Sequence, residues 1–175
     1  MTMHQLPRIR VACVIGTRPE VIKMAPIIRR LRLSDWAEPF LIATGQQDEL
    51  LSQALDDFQL GVDHAIPYDA KGPNILAVLG AIASKLDQVF GRIRPAAVIA
   101  QGDTTSAFGA SLAAFYRRIP FVHVEAGLRT GNLRAPFPEE FHRRAIALST
   151  MLHCAPTEFA AQQLASLAHR RWLFQ

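Results

Sequence analysis

Short apolar runs alternate along the chain with segments whose apolar positions recur at helical spacing. Residues 8–15 are dominated by Val and Ile and predict a first strand. Beyond them Val21, Met24, Ala25, Ile28 and Leu31 mark the buried face of a helix. Pro19 suits the start of that helix, and Pro26 inside it predicts a kink or a tightened turn. Residues 40–44 predict a second strand. Residues 48–58 predict an amphipathic helix with Leu50, Leu51, Ala54, Leu55 and Phe58 inward. Residues 64–67 form at most a short strand, and 68–73 a loop. Asn74 is suited to cap a long helix ending near Arg92.

The centre of the pattern is 96–140. Residues 96–100 predict a strand buried on both faces, 104–117 a helix, and 120–124 (PFVHV) a second buried strand. A strand–helix–strand unit of this length takes a right-handed crossover and parallel pairing. A helix over 140–148, a sixth strand over 151–155 and a last helix from Thr157 to about Leu167 follow. Residues 171–174 (RWLF) read as the opening of another strand. Six strands alternating with helices predict an α/β fold with a doubly wound, mostly parallel sheet. No repeat, low-complexity tract or linker divides the chain, so 1–175 reads as a single domain.

Composition narrows what such a sheet serves. No run of eighteen or more apolar residues exists, so no membrane partner is expected. The first ten residues lack the apolar centre of a secretory signal. Cys13 and Cys154 lie in apolar runs and read as buried free thiols of a reducing compartment, the cytoplasm. The net charge of +4 comes from sixteen Arg and three Lys, many of them in scattered pairs such as Arg29-Arg30 and Arg143-Arg144. A nucleic-acid binder gathers such charge into one stripe, so a small anionic ligand is expected instead.

The candidate chemistry lies at one edge. Both central strands point the same way, which brings Asp103 and Glu125 to the carboxyl edge of the sheet, where ligands of open α/β sheets bind. The first strand delivers Arg18 there, Lys23 follows about a turn later, and Glu139 closes the Gly-, Arg- and Pro-rich loop after Glu125. The turn at Gly16 is expected to leave backbone N–H groups free for an anion, although no GxGxxG is present. Clustered carboxylates are expected to raise at least one carboxyl pKa, and Arg18 and Lys23 suit a diphosphate leaving group. Ordinary readings stand beside these. Asp103 also suits an N-cap, Glu125 a plain salt bridge, Glu139 and Glu140 a helix's first turn, and Arg18 an exposed cation. His123 and His142 read as structural, and without HxxH, HExxH or CxxC spacing no metal site is expected.

Several blocks occur in order: GTRPEVIKMAP (16–26), TGQ (44–46), QGDTTSAFGASLAAFYRRIP (101–120), HVEAGLRTGN (123–132), PFPEE (136–140) and APTE (155–158). Together they resemble the N-terminal domain of the non-hydrolysing UDP-N-acetylglucosamine 2-epimerases. The resemblance implies one Rossmann-like half of a GT-B-type fold of two domains, with the site in the cleft between them. It implies interconversion of UDP-GlcNAc and UDP-ManNAc by elimination of UDP and its re-addition, as in cell-envelope polysaccharide biosynthesis, with neither nicotinamide nor metal. It assigns Asp103, Glu125 and Glu139 to acid–base work and Arg18 and Lys23 to substrate positioning. Gln47, where relatives carry His, and His142, where they carry Asn, depart from the pattern. The family's C-terminal nucleotide-binding domain is expected to be absent here, which implies a separate C-terminal chain as partner, and a homo-oligomer for full-length members. A non-catalytic relic or regulatory nucleotide-sugar-binding module, and half of a GT-B glycosyltransferase, are the alternative readings.

Overall fold

The computed structural model describes residues 7–45, 49–67 and 74–170. The expectations for Gln46, Gln47 and Asp48, for the loop 68–73 and for a strand at 171–174 lie outside those residues. The chain runs β1 (Ile9–Ile15), α1 (Arg18–Arg32), β2 (Ala37–Thr44), α2 (Glu49–Asp57), β3 (His64–Ile66) and α3 (Ile75–Ile93). It continues β4 (Ala97–Gln101), α4 (Thr105–Tyr116), β5 (Phe121–Val124), α5 (Glu139–Ser149), β6 (Leu152–Cys154) and α6 (Glu158–Arg170). The six strands pair in the order β3-β2-β1-β4-β5-β6, every pair parallel. This is the doubly wound α/β sheet read from the sequence. The strand order reverses between β1 and β4, and that switch point is where such sheets open a crevice.

Alternation along β1 builds the two cores. Val11, Cys13 and Ile15 pack with Val21, Met24, Ala25 and Ile28 of α1. Ala12 and Val14 face the layer formed by α3, α4 and α5. The first layer matches the helical face expected from the sequence, and α1 continues through Pro26. α4 is buried on almost every side, from Ser106 to Ala114. Its small residues allow that approach: a Cβ on Gly109 would stand 2.9 Å from Ile82 of α3. Asn74 caps α3 by accepting from the Ala77 amide at 2.9 Å, and Thr157 accepts from the Ala160 amide at the start of α6.

Three expectations change. β2 begins at Ala37 because Ile9 to Val11 of β1 pair with Ala37 to Pro39. Pro39 is tolerated there because β3 reaches only Ile42 to Thr44, which leaves an edge without a ladder. Leu50 is half exposed, and α2 buries Leu51 and Ala54 instead. Cys13 is buried as expected, but Cys154 is exposed, because three-residue β6 forms the outer edge of the sheet. Among the described residues no helix is long and apolar enough to cross a membrane.

Candidate active site

The turn between β1 and α1 was expected to hold an anion, and it holds the chain's own. Glu20, in the first turn of α1, is 1% exposed. Its Oε2 accepts from the Gly16 amide at 2.7 Å, and its Oε1 accepts from the Thr104 hydroxyl at 2.7 Å. Thr17 adds backbone and side-chain hydrogen bonds. Burial pushes the Glu20 carboxyl above its ordinary range, against the pull of those donors. The amides free in the sequence reading are therefore occupied. An acid four residues after Gly16 was the available signal, and it reads equally as a dipole-favoured first-turn residue.

The turn between β4 and α4 is held by two imidazoles. Gly102 sits at φ 77°, and its carbonyl accepts from His123 Nε2 at 2.7 Å. The next carbonyl, that of Asp103, accepts from His142 Nδ1 at 2.8 Å. Burial lowers His123 to about 4 and lowers His142 as well, so both rings are neutral near pH 7. Because a carbonyl only accepts, the N–H of each neutral ring must lie on the nitrogen facing it. Both histidines thus have the structural use expected. Thr104, not Asp103, caps α4, accepting from the Ala107 amide at 3.1 Å. That frees the Asp103 carboxylate, which pairs with Arg143, Oδ2 to Nη2 at 2.5 Å.

Glu125 directly follows β5 with φ 59°, a left-handed conformation that is costly for a residue with a side chain and concentrates at working sites. Its Oε2 accepts from Lys23 of α1 and from Gln101, the last residue of β4. Among the described residues its Oε1 has no partner. Gln101 is buried and went unread in the sequence, because its partner stands on the next strand.

Glu139 opens α5, and among the described residues its buried Oε2 has no hydrogen-bond partner. Its charge and that of Asp103 both act on His142. Glu140 has the structural task instead. It accepts from the Thr130 amide at 3.0 Å and from Arg144 at 2.9 Å, with Arg143 at 3.4 Å. Burial raises the Glu140 carboxyl, and these donors outweigh it and leave it below its ordinary range. Glu140 thereby ties the loop after Glu125 to α5. Gly127 seats the start of that loop: at φ 103° its Cβ would stand 2.3 Å from the Ala160 carbonyl oxygen. In the same loop Arg129 buries Nε and Nη2 without partners among the described residues, and burial lowers its pKa.

The structure therefore joins Lys23 to Glu125 and Arg143 to Asp103, and brings Glu139 beside His142. Two of the three carboxylates are neutralised by a cation, and the carboxyl raised by its surroundings among the described residues is Glu20, through burial rather than clustered charge. Arg18 is exposed at the first position of α1 and makes no ion pair among the described residues. Among the described residues no three His, Cys, Asp or Glu side chains gather as a metal would require. A carboxylate held through one oxygen beside a cation, as Glu125 is, has the chemistry to move a proton at a bound substrate.

A family model described as UDP-N-acetylglucosamine 2-epimerase matches residues 29–172. A UDP-N-acetylglucosamine 2-epimerase of Yersinia pestis is 41% identical over 155 residues, 89% of this chain and 41% of the relative. The crystal structure of the Neisseria meningitidis UDP-GlcNAc 2-epimerase bound to UDP-GlcNAc superposes with a TM-score of 0.88 at 40% identity, covering 91% of this chain and 43% of that one. The MurG structure of Acinetobacter baumannii, 14% identical over 87% of this chain and 43% of its own, has a TM-score of 0.64 and shares the fold alone. The chain spans about two fifths of the length of the curated relatives it matches. On the extent of the family match and these identities, the chain belongs to the UDP-N-acetylglucosamine 2-epimerase family.

Proposed function

We propose that this chain is the N-terminal half of an enzyme that interconverts UDP-GlcNAc and UDP-ManNAc. The observation that carries the reading is the carboxyl edge itself: Asp103 and Glu125 follow adjacent strands β4 and β5, each paired with a cation, and Glu139 opens the next helix. In the proposed reaction a carboxylate takes the proton from sugar C2 as the C1–O bond breaks. UDP departs with the bond pair, and a 2-acetamidoglucal remains. UDP then returns to C1 while C2 is protonated on its other face. Glu125, with one oxygen open, and Asp103 and Glu139 are the acid–base groups. Lys23 and Arg18 position the sugar and the diphosphate. No cofactor has a step in this scheme.

The edge described here is one wall of a cleft. Open to water, its charge contacts weaken as the local dielectric rises. The other wall is proposed to be the C-terminal nucleotide-binding domain, on the same chain or on a separate one. We also propose a homo-oligomer for the assembled enzyme, supported by exposed Phe115, Tyr116 and Met151 at the far edge of the sheet. The cytoplasm is the proposed compartment, in keeping with two unpaired cysteines. The test is to assay the 175-residue chain alone and with a separately made C-terminal domain. No interconversion by the chain alone and recovery on mixing supports the reading. Clear epimerisation by the pure chain contradicts the need for two walls.

A further inference from the structure

We infer that Glu20 is a positioning residue that binds the β1–α1 and β4–α4 turns into one unit at the switch point of the sheet. The inference rests on the acid–base reading of Asp103 and Glu125 given above. Helices α1 and α4 leave adjacent strands for opposite faces, so the two turns diverge where the site must be most rigid. Glu20 spans the gap. One oxygen takes the Gly16 amide and the other takes the hydroxyl of Thr104, 84 positions away in the chain. That hydroxyl also accepts from the Ala107 amide, so one group both caps α4 and anchors α1. Gly16 makes the fit close: a Cβ there would stand 2.1 Å from Ser106 Oγ.

The tie fixes the distance between the two halves of the site. Asp103 precedes Thr104, and Lys23 lies one helical turn after Glu20 and reaches Glu125. A lost tie therefore shifts the Asp103 carboxylate relative to the Lys23–Glu125 pair. It also has a consequence for ligand chemistry. A buried carboxylate fills the place where turn amides of such sheets take a ligand's phosphate. A diphosphate at this edge is therefore held by side-chain cations, not by the amides of Gly16 and Thr17.

The test uses Thr104→Val, Thr104→Ser, Glu20→Gln and the Thr104→Val/Glu20→Gln double variant. Each is made in the chain joined to the C-terminal half of a family member, with amide exchange read on the 175-residue chain. Thr104→Val is expected to cut kcat by about tenfold or more with KM within about threefold, as small misplacements of reacting groups do. Thr104→Ser, which keeps the hydroxyl, restores kcat to within about twofold, and the double variant falls no further than the worse single one. A stability role alone would instead lower the melting temperature and leave kcat per folded molecule unchanged, and that result overturns the inference. In the chain alone, Thr104→Val is expected to speed exchange of the Gly16 amide by about tenfold while α3 amides keep their rates. If the joined wild-type protein does not epimerise, the epimerase reading fails, and the exchange result alone decides the tie: an unchanged Gly16 rate overturns it.

Discussion

Arg143 reaches from α5 to Asp103, Nη2 to Oδ2 at 2.5 Å, with only 10% of its side chain exposed. The same guanidinium faces Glu140, whose side chain is fully buried. Replacing Arg143 with Met strands Asp103, while Glu140 keeps Arg144 and the Thr130 amide, and a broken buried pair costs about 3 kcal/mol. Denaturant unfolding of the Arg143→Met chain should show that loss. A change under about 1 kcal/mol would mean that water already screens the Asp103 carboxylate.

Lys23 and Gln101 donate to one oxygen of Glu125, and among the described residues the other has no partner. Gln101→Leu keeps the volume and removes one donor, so the Glu125 carboxylate is freed to turn. In the joined enzyme kcat should fall by about tenfold with KM little changed, because the reacting carboxylate is no longer held in place. An unchanged kcat would argue that Gln101 does not act through Glu125.

His123 sets a pH dependence of stability. Its folded value of about 4 lies below the ordinary 6.5, so the unfolded chain takes up the proton first as pH falls. The contribution is complete above pH 6.5 and is lost progressively down to about pH 4, reaching about 3 kcal/mol. Glu20, raised by burial, works in the opposite direction and is common to wild type and variant. His123→Gln, whose amide N–H can still serve the Gly102 carbonyl, should flatten the loss between those pH values. An equal acid slope in the two proteins would exclude His123 as its source.

Gly127→Ala places a methyl 2.3 Å from the Ala160 carbonyl oxygen at a backbone φ of 103°. Strain and overlap together should cost about 3 kcal/mol. Thermal unfolding of this variant beside Gly131→Ala, where φ is 79° and nothing lies within 4 Å, separates the overlap from the strain.

Local chemistry made most of the fold legible. Helix spacing from Val21 to Leu31, the caps at Asn74 and Thr157, and Val-rich runs each carry their signal within a few residues. The same locality put Asp103 and Glu125 at one edge. What escaped depends on distant partners. Glu20 reads as an ordinary first-turn acid until Thr104 is beside it, and Arg143 as one of a surface pair until Asp103 is. Cys154 looked buried because an apolar run does not reveal that its strand is the last in the sheet. Leu50 satisfies the helical pattern, yet Leu51 and Ala54 carry the burial at its end of α2.

The proposed reaction requires proton movement at C2 by the carboxylates of this edge. Its most direct test is deuterium incorporation at sugar C2 when the chain, joined to a C-terminal half, turns over UDP-GlcNAc in heavy water. Elimination and re-addition should place about one deuterium per turnover at C2, and Asp103→Asn, Glu125→Gln and Glu139→Gln should each slow it by about 10²–10⁴-fold. Product that keeps its original C2 hydrogen, or near-normal exchange in two of the three folded variants, would contradict the assignment.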